Sequence, residues 1–241
     1  MARLVSQNKK VLTTVLAFIL AVAGPLKAEV PPLLSTAWHQ RAPYNDLCPD
    51  GTLAGCVAIA MSQVMYYHQY PVCGIGKNTY SWHGKKQSAD FGNTFYRWGD
   101  METDGAAVAE LVYHCGVAVW MDYSTSFSGS SEYYAKSALV DFFGYSEDIK
   151  MVPRNKYTDE EWADLLRDQL DHGHPMIYSS GGHTFVVDGY NDNGLFHANM
   201  GYGSSGSNRY YTLDGLGSIS NSTALINIYP DMSNVLAHSG T

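Results

Sequence analysis

The sequence predicts an α+β protein in which helices come first and strands last. Three observations predict this. Helix-forming apolar stretches dominate roughly the first two thirds. Short runs rich in β-formers and separated by turn residues fill the last third. A strong hairpin signal, Asn191-Asp192-Asn193-Gly194, lies between two of those runs. Segregation of this kind predicts a helical lobe, about residues 29–170, packed against an antiparallel β-rich lobe, about 171–241, with a cleft between them.

The elements follow in chain order. Val30-Pro31-Pro32 reads as an extended lead-in, and residues 37–49, rich in Pro, Asn and Asp, as a loop. Leu53 to Tyr70 is a long apolar run closed by Pro71. Its apolar residues, Ala58, Ile59, Ala60, Met61, Val64, Met65 and Tyr67, cover nearly every face, which predicts a central buried helix. Tyr80 to Asp100 is aromatic and irregular, and helices are expected over 104–118 and 132–143. Thr158-Asp159-Glu160-Glu161 has the form of a capping box opening a helix that runs to Asp171. Strands are expected at 175–179, 184–190, 195–199, 209–213 and 224–229.

Composition narrows the function. The formal net charge is −8 and no basic run follows residue 10, which leaves a nucleic-acid partner without electrostatic support. Residues 1–28 read as a signal peptide: Arg3, Lys9 and Lys10 precede the run from Val11 to Ala23, and Ala28 is a plausible cleavage edge. The apolar run is short for a bilayer span, so no stable membrane anchor is expected. Export to a periplasm or the cell exterior follows, with residues 29–241 as one domain and no long propeptide evident. The four cysteines, Cys48, Cys56, Cys73 and Cys115, are too few for a disulfide scaffold and form no CxxC pair. No cofactor or metal is expected: His172 and His174 lack a third ligand at helix spacing.

Cys56 follows Gly55 where the long buried helix should start. A helix N-terminus carries partial positive charge and unpaired N–H groups, which stabilise a thiolate and can face an oxyanion. A cysteine beside an apolar helix is otherwise a small core residue. A nucleophile needs a base, and Gly181-Gly182-His183 places a histidine after two glycines and ahead of the apolar strand Phe185-Val186-Val187. Asn199 ends the next strand and could accept from an imidazole N–H. Hairpin arithmetic, however, sets Asn199 opposite Asp188 unless a bulge shifts the register.

Four stretches resemble one family, the streptopain family of cysteine peptidases. They are Trp38-His39-Gln40 with Ala42-Pro43-Tyr44-Asn45; Gly55-Cys56-Val57-Ala58 running through Ala60-Met61-Ser62-Gln63 to Tyr67-His68 and Pro71; Gly182-His183 with Phe185-Val186 and Asp188-Gly189-Tyr190; and His197-Ala198-Asn199 with Gly201-Tyr202-Gly203. The order Cys, His, Asn adds to the specificity of the match. The resemblance implies a papain-like fold and peptide or protein substrates. It implies Cys56 as nucleophile, His183 as general base and acid, Asn199 orienting His183, and Gln40 joining the Cys56 N–H in an oxyanion hole. Gly181, Gly182, Gly201 and Tyr202 would line the substrate site, with an apolar side chain preferred next to the scissile residue.

Two departures stand out. Met200 and Tyr202 replace the two tryptophans of the family's His-x-Asn-Trp-Gly-Trp-Gly motif, so the shield over the His–Asn hydrogen bond falls to Met200 and activity is expected to be reduced. The short stretch between Ala28 and Trp38 suggests control by a separate protein inhibitor. Gly201 to Asn208 reads as a mobile flap. The competing readings are a catalytically weak or inactive relative that binds peptides in the same cleft, and an acyltransferase or amidase using the same thiol.

Overall fold

The computed structural model describes residues 29–233, so the expected signal peptide lies outside the described residues. The long apolar run forms α1 (Cys56–His68). Gly55 caps it at φ +91°, a conformation open to glycine, and an added Cβ would fall 2.5 Å from Met121 Cε. The helix stops at Gln69, which takes the left-handed conformation ahead of Pro71. Every residue from Cys56 to Met65 is buried.

Residues 78–89, irregular by their sequence pattern, are ordered. They form a hairpin, β1 (Asn78–Trp82) and β2 (Lys85–Ala89), closed by Trp82 opposite Lys85. Both turn residues, His83 and Gly84, have positive φ, as a tight hairpin turn demands. Three capped helices follow. Asp104 caps α2 (Gly105–Ala118) and Ser131 caps α3 (Glu132–Asp141), each through its side-chain oxygen. After β3 (Lys150–Pro153), the expected capping box of Thr158 and Glu161 opens α4 (Asp159–Asp171).

The remaining elements are β4 (Met176–Ser180), β5 (His183–Tyr190), β6 (Phe196–Asn199), β7 (Arg209–Tyr211), the short α5 (Leu213–Leu216) and β8 (Ser222–Ile226). They complete an antiparallel six-stranded sheet ordered β3-β8-β4-β5-β6-β7, so the sheet takes its first strand from ahead of residue 171.

Alternation along the central strands assigns each face. Ile177, Val186 and Leu225 join the core built on α1, α2 and α3, whereas Tyr178, Phe185, Val187, Ala224 and Ile226 join a second core with Trp162, Leu166 and Leu170 of α4. The sheet is thus covered on both faces. That explains why β5 is buried from Thr184 to Tyr190 rather than alternating with solvent. The lead-in also joins this unit: Val30 bridges to Tyr190, and Leu33 N–H donates to the Asp188 carbonyl.

Candidate active site

Cys56 is the first residue of α1 and is 7% exposed. No side chain caps this helix, and its first turn holds no acidic residue, so the positive end of the dipole is left uncompensated by protein groups. The other thiols differ. All four cysteines are free, but burial pushes the Cys48 thiol up to about 12 and raises that of the fully buried Cys115 as well. Cys73 is half-buried beside the carbonyls of Phe91 and Gly92.

His183 is the first residue of β5. It pairs with Ser180 across a two-residue turn made by Gly181 and Gly182, both at positive φ with open space around them. The glycines serve the turn geometry, and they leave the half-buried ring uncovered on that side. His183 Nε2 lies 2.9 Å from the Met200 carbonyl oxygen. A carbonyl can only accept, so Nε2 carries the proton and Nδ1 is left with the lone pair. Burial lowers the His183 pKa, and the bond to Met200 opposes part of that shift. The Tyr202 ring stacks on the imidazole, with centroids 4.7 Å apart and planes 10° from parallel. The Tyr202 hydroxyl has its pKa raised, chiefly by burial and secondarily by the charge of Cys56.

Asn199 does not hold the His183 ring. A bulge at Asp188 shifts the β5–β6 register, so Asn199 faces Val186. Its amide bonds elsewhere: Nδ2 donates to the Thr36 carbonyl (2.7 Å) and to Gln63 Oε1 (3.1 Å), and Oδ1 accepts from Gly201 N–H (3.2 Å) and Gln63 Nε2 (3.3 Å). Orientation reaches the imidazole through the main chain of the next residue. Asp188, fully buried in the bulge, bonds His197 Nδ1 at 2.6 Å and accepts from Leu34 N–H at 3.0 Å, tying the lead-in to the sheet.

The expected shield also moves. The Met200 side chain packs against the second core, and Tyr202 supplies the ring that covers His183. Gly201 sits at φ +68° with Ile59 Cγ2 3.1 Å from where a Cβ would stand. The segment expected to be a flap is tied at both ends, by Met200 N–H to Asn208 Oδ1 (2.9 Å) and by the Tyr211 hydroxyl to the Ser207 carbonyl (2.6 Å). His39 bridges to Tyr202, and the neighbouring Gln40 accepts from Ala54 N–H at 3.0 Å through its carbonyl, two residues before Cys56. Cys56, His183, Gln40 and Tyr202 are thereby carried by segments linked to one another.

A cleft of about 240 Å³ lies between Leu34, Thr36, Gln63, Tyr66 and Glu102, and neither Cys56 nor His183 lines it. Among the described residues no group of three or more His, Cys, Asp or Glu could hold a metal ion, and no helix is long and apolar enough to cross a membrane.

Sequence reasoning missed two participants. Met200 acts through its carbonyl and leaves no side-chain signal. Gln63 had one: it is a polar residue in a buried apolar run, seven positions after Cys56 and so on the same helix face.

The family model described as peptidase C10 matches residues 38–211. Streptopain of Streptococcus pyogenes is 27% identical over 247 residues, covering 88% of this chain, and the chain spans 62% of the length of that relative. A thiol protease/hemagglutinin of Porphyromonas gingivalis is 29% identical over 216 residues, covering 77% of this chain and 25% of its own. Among solved structures, active interpain A cysteine protease of Prevotella intermedia superposes with a TM-score of 0.77 at 38% identity, covering 84% of this chain and 96% of that one. A prointerpain A fragment from the same organism gives a TM-score of 0.78 at 37% identity, covering 85% and 73%. The α+β fold, with helices set against an antiparallel sheet, matches the papain-like arrangement that the sequence predicts.

Proposed function

The chain belongs to the peptidase C10 family of cysteine-type peptidases, and from that premise we propose that it is an exported cysteine endopeptidase cutting protein or peptide substrates through an acyl-enzyme. Cys56 is the nucleophile. His183 Nδ1 accepts the thiol proton, leaving imidazolium beside thiolate. The thiolate attacks the scissile carbonyl, and the oxyanion is received by the Cys56 N–H and the Gln40 side chain. His183 returns the proton to the leaving amine, which leaves a thioester on Cys56. His183 then takes a proton from water as the water attacks the thioester. The acid leaves and the thiol is restored.

The observation that carries this reading is the Tyr202 segment, whose ring stacks on His183 and whose backbone bridges to His39 beside Gln40. The uncapped start of α1 supports it, as does the link from Gln40 to Ala54. Gly181, Gly182, Gly201 and Tyr202 border the substrate site in this reading, and an apolar residue is favoured next to the scissile one. Export follows from the residue pattern of 1–28. The reading as an inactive binding relative rests on Met200 and on the short stretch ahead of Trp38; the first support weakens, because the group that bonds His183 is a main-chain carbonyl, which a residue of any type would supply.

The test is mass spectrometry of residues 29–241 after exposure to a peptidyl epoxide that alkylates activated thiols. The expected result is modification of Cys56 alone, lost in His183→Ala. A folded sample that takes no label, or one labelled at Cys73 instead, would sink the reading.

A further inference from the structure

The turn after β6 lies along one face of α1 in register. Gln63 meets Asn199, and Ile59 meets Gly201. Gln63, Ile59 and Cys56 are spaced by four and then three residues, so they form a single helix stripe, and the turn runs up it from Gln63 to Ile59 toward the helix N-terminus. At the far end the two amides exchange hydrogen bonds, Gln63 Nε2 to Asn199 Oδ1 and Asn199 Nδ2 to Gln63 Oε1. Gln63 is fully buried and Asn199 is 2% exposed. Gln63 Oε1 also accepts from the Thr36 hydroxyl (2.8 Å) and Trp38 N–H (3.3 Å), two residues ahead of Gln40.

We propose that Gln63 is a positioning residue for the Cys56–His183 pair, acting with Asn199 as one buried amide pair that anchors the turn bearing the Met200 carbonyl and Tyr202. The inference rests on the peptidase reading above. The pair joins three segments: the helix of the nucleophile, the strand of the base by way of β6, and the lead-in that carries Gln40. Asn199 Oδ1 fixes Gly201 N–H, which holds the backbone on either side of the carbonyl that orients His183. Without Gln63, Asn199 would keep its bonds to the Thr36 carbonyl and Gly201 N–H but lose both bonds that tie it to α1, and the turn would be free to reset. Displacements of about 1 Å in a catalytic group can cost about 10²-fold in rate.

The experiment uses Gln63→Met, Asn199→Leu and the double variant, with a fluorogenic peptide for turnover and iodoacetamide alkylation of Cys56 across pH. Gln63→Met should lower kcat by about 10²-fold with KM little changed, because the groups displaced act on the reacting atoms. The pH profile of alkylation should shift with it. The double variant should be no worse than the poorer single, as expected of residues acting as one unit. Gln169→Met is the control. It breaks a second, part-buried Gln–Asn pair, between α4 and the end of β8, and should lower Tm without moving kcat or the pH profile.

Wild-type kcat and pH profile in folded Gln63→Met would overturn the inference, and so would an equal loss of kcat in Gln169→Met. If Gln63→Met does not fold, Thr36→Val decides, since it removes one bond to Gln63 from a half-buried site. A several-fold drop in kcat with a shifted profile supports the inference, and no change overturns it. An inert wild type would bring down the peptidase reading and this inference with it, whereas an active wild type beside unaffected variants would overturn the role of Gln63 alone.

Discussion

Two glutamine–asparagine pairs among the described residues do different work, one of them buried throughout and the other joining buried Gln169 to half-buried Asn227. Gln63–Asn199 links α1 to β6, where the two cores meet at the sheet. Gln169–Asn227 links α4 to the residue after β8: Gln169 Nε2 donates to Asn227 Oδ1 at 3.0 Å and Gln169 Oε1 accepts from Asn227 N–H at 2.7 Å. Asn227 completes its set on the Asp148 carbonyl. The second pair satisfies a strand end in which Asn227 sits at φ +60°. The first satisfies a turn whose next residues, Met200 and Tyr202, reach His183. Such an amide pair therefore marks a backbone that must be held, and the residues downstream decide whether holding it matters for stability or for catalysis.

Acid offers the largest way to sharpen this comparison, because amides do not titrate and any loss of stability must come from other groups. His68 and His114 both have pKa values lowered to about 4, chiefly by burial. Above pH about 6.5 neither the folded nor the unfolded chain protonates them. Below it the unfolded chain takes up protons that the folded chain refuses until about pH 4, so stability falls across that window and then levels off. Each histidine should cost up to about 3 kcal/mol by pH 4. Urea midpoints that stay flat from pH 7 to pH 4 would contradict this. The amide variants should leave the slope of that curve unchanged.

Gln169→Met comes next. It strands Asn227 N–H and Oδ1 and should cost about 1–3 kcal/mol with turnover intact. Thermal melts and kcat measured on the same sample would decide it, and a fall in kcat would erase the difference between the two pairs. The smallest effect on stability is expected from Gly201→Ala. Its cost is about 1–2 kcal/mol for a left-handed backbone, together with the close approach of Ile59 Cγ2. Turnover should fall further than stability alone accounts for, since Tyr202 is the next residue. Equal, small losses in both would show that the turn tolerates displacement.

Much of the molecule was legible in order along the chain. The buried α1, the capping box at Thr158, the turn at Asn191 and the run of late strands all follow from local patterns of period and capping. The hairpin over 78–89 escaped because the turn residues His83-Gly84 carry a weaker signal than Asn-Gly. The break between lobes was harder to read. Strand β3 joins the sheet from ahead of α4, and only long-range pairing with β8 reveals it.

At the site, a thiol at a helix start and a histidine at a strand start made Cys56 and His183 candidates, and the family resemblance was needed to set Gln40 and Asn199 beside them. Which atom touches which was a tertiary decision. A bulge at Asp188 moved Asn199 away from Asp188, the arrival of α1 beside β6 gave Asn199 to Gln63, and the turn between them handed His183 to the Met200 carbonyl and the Tyr202 ring. Local sequence sets period, caps and chemical type, since these depend on neighbours along the chain. Hydrogen-bond partners 136 residues apart are chosen only when two packed surfaces exclude water and leave each polar group one place to go.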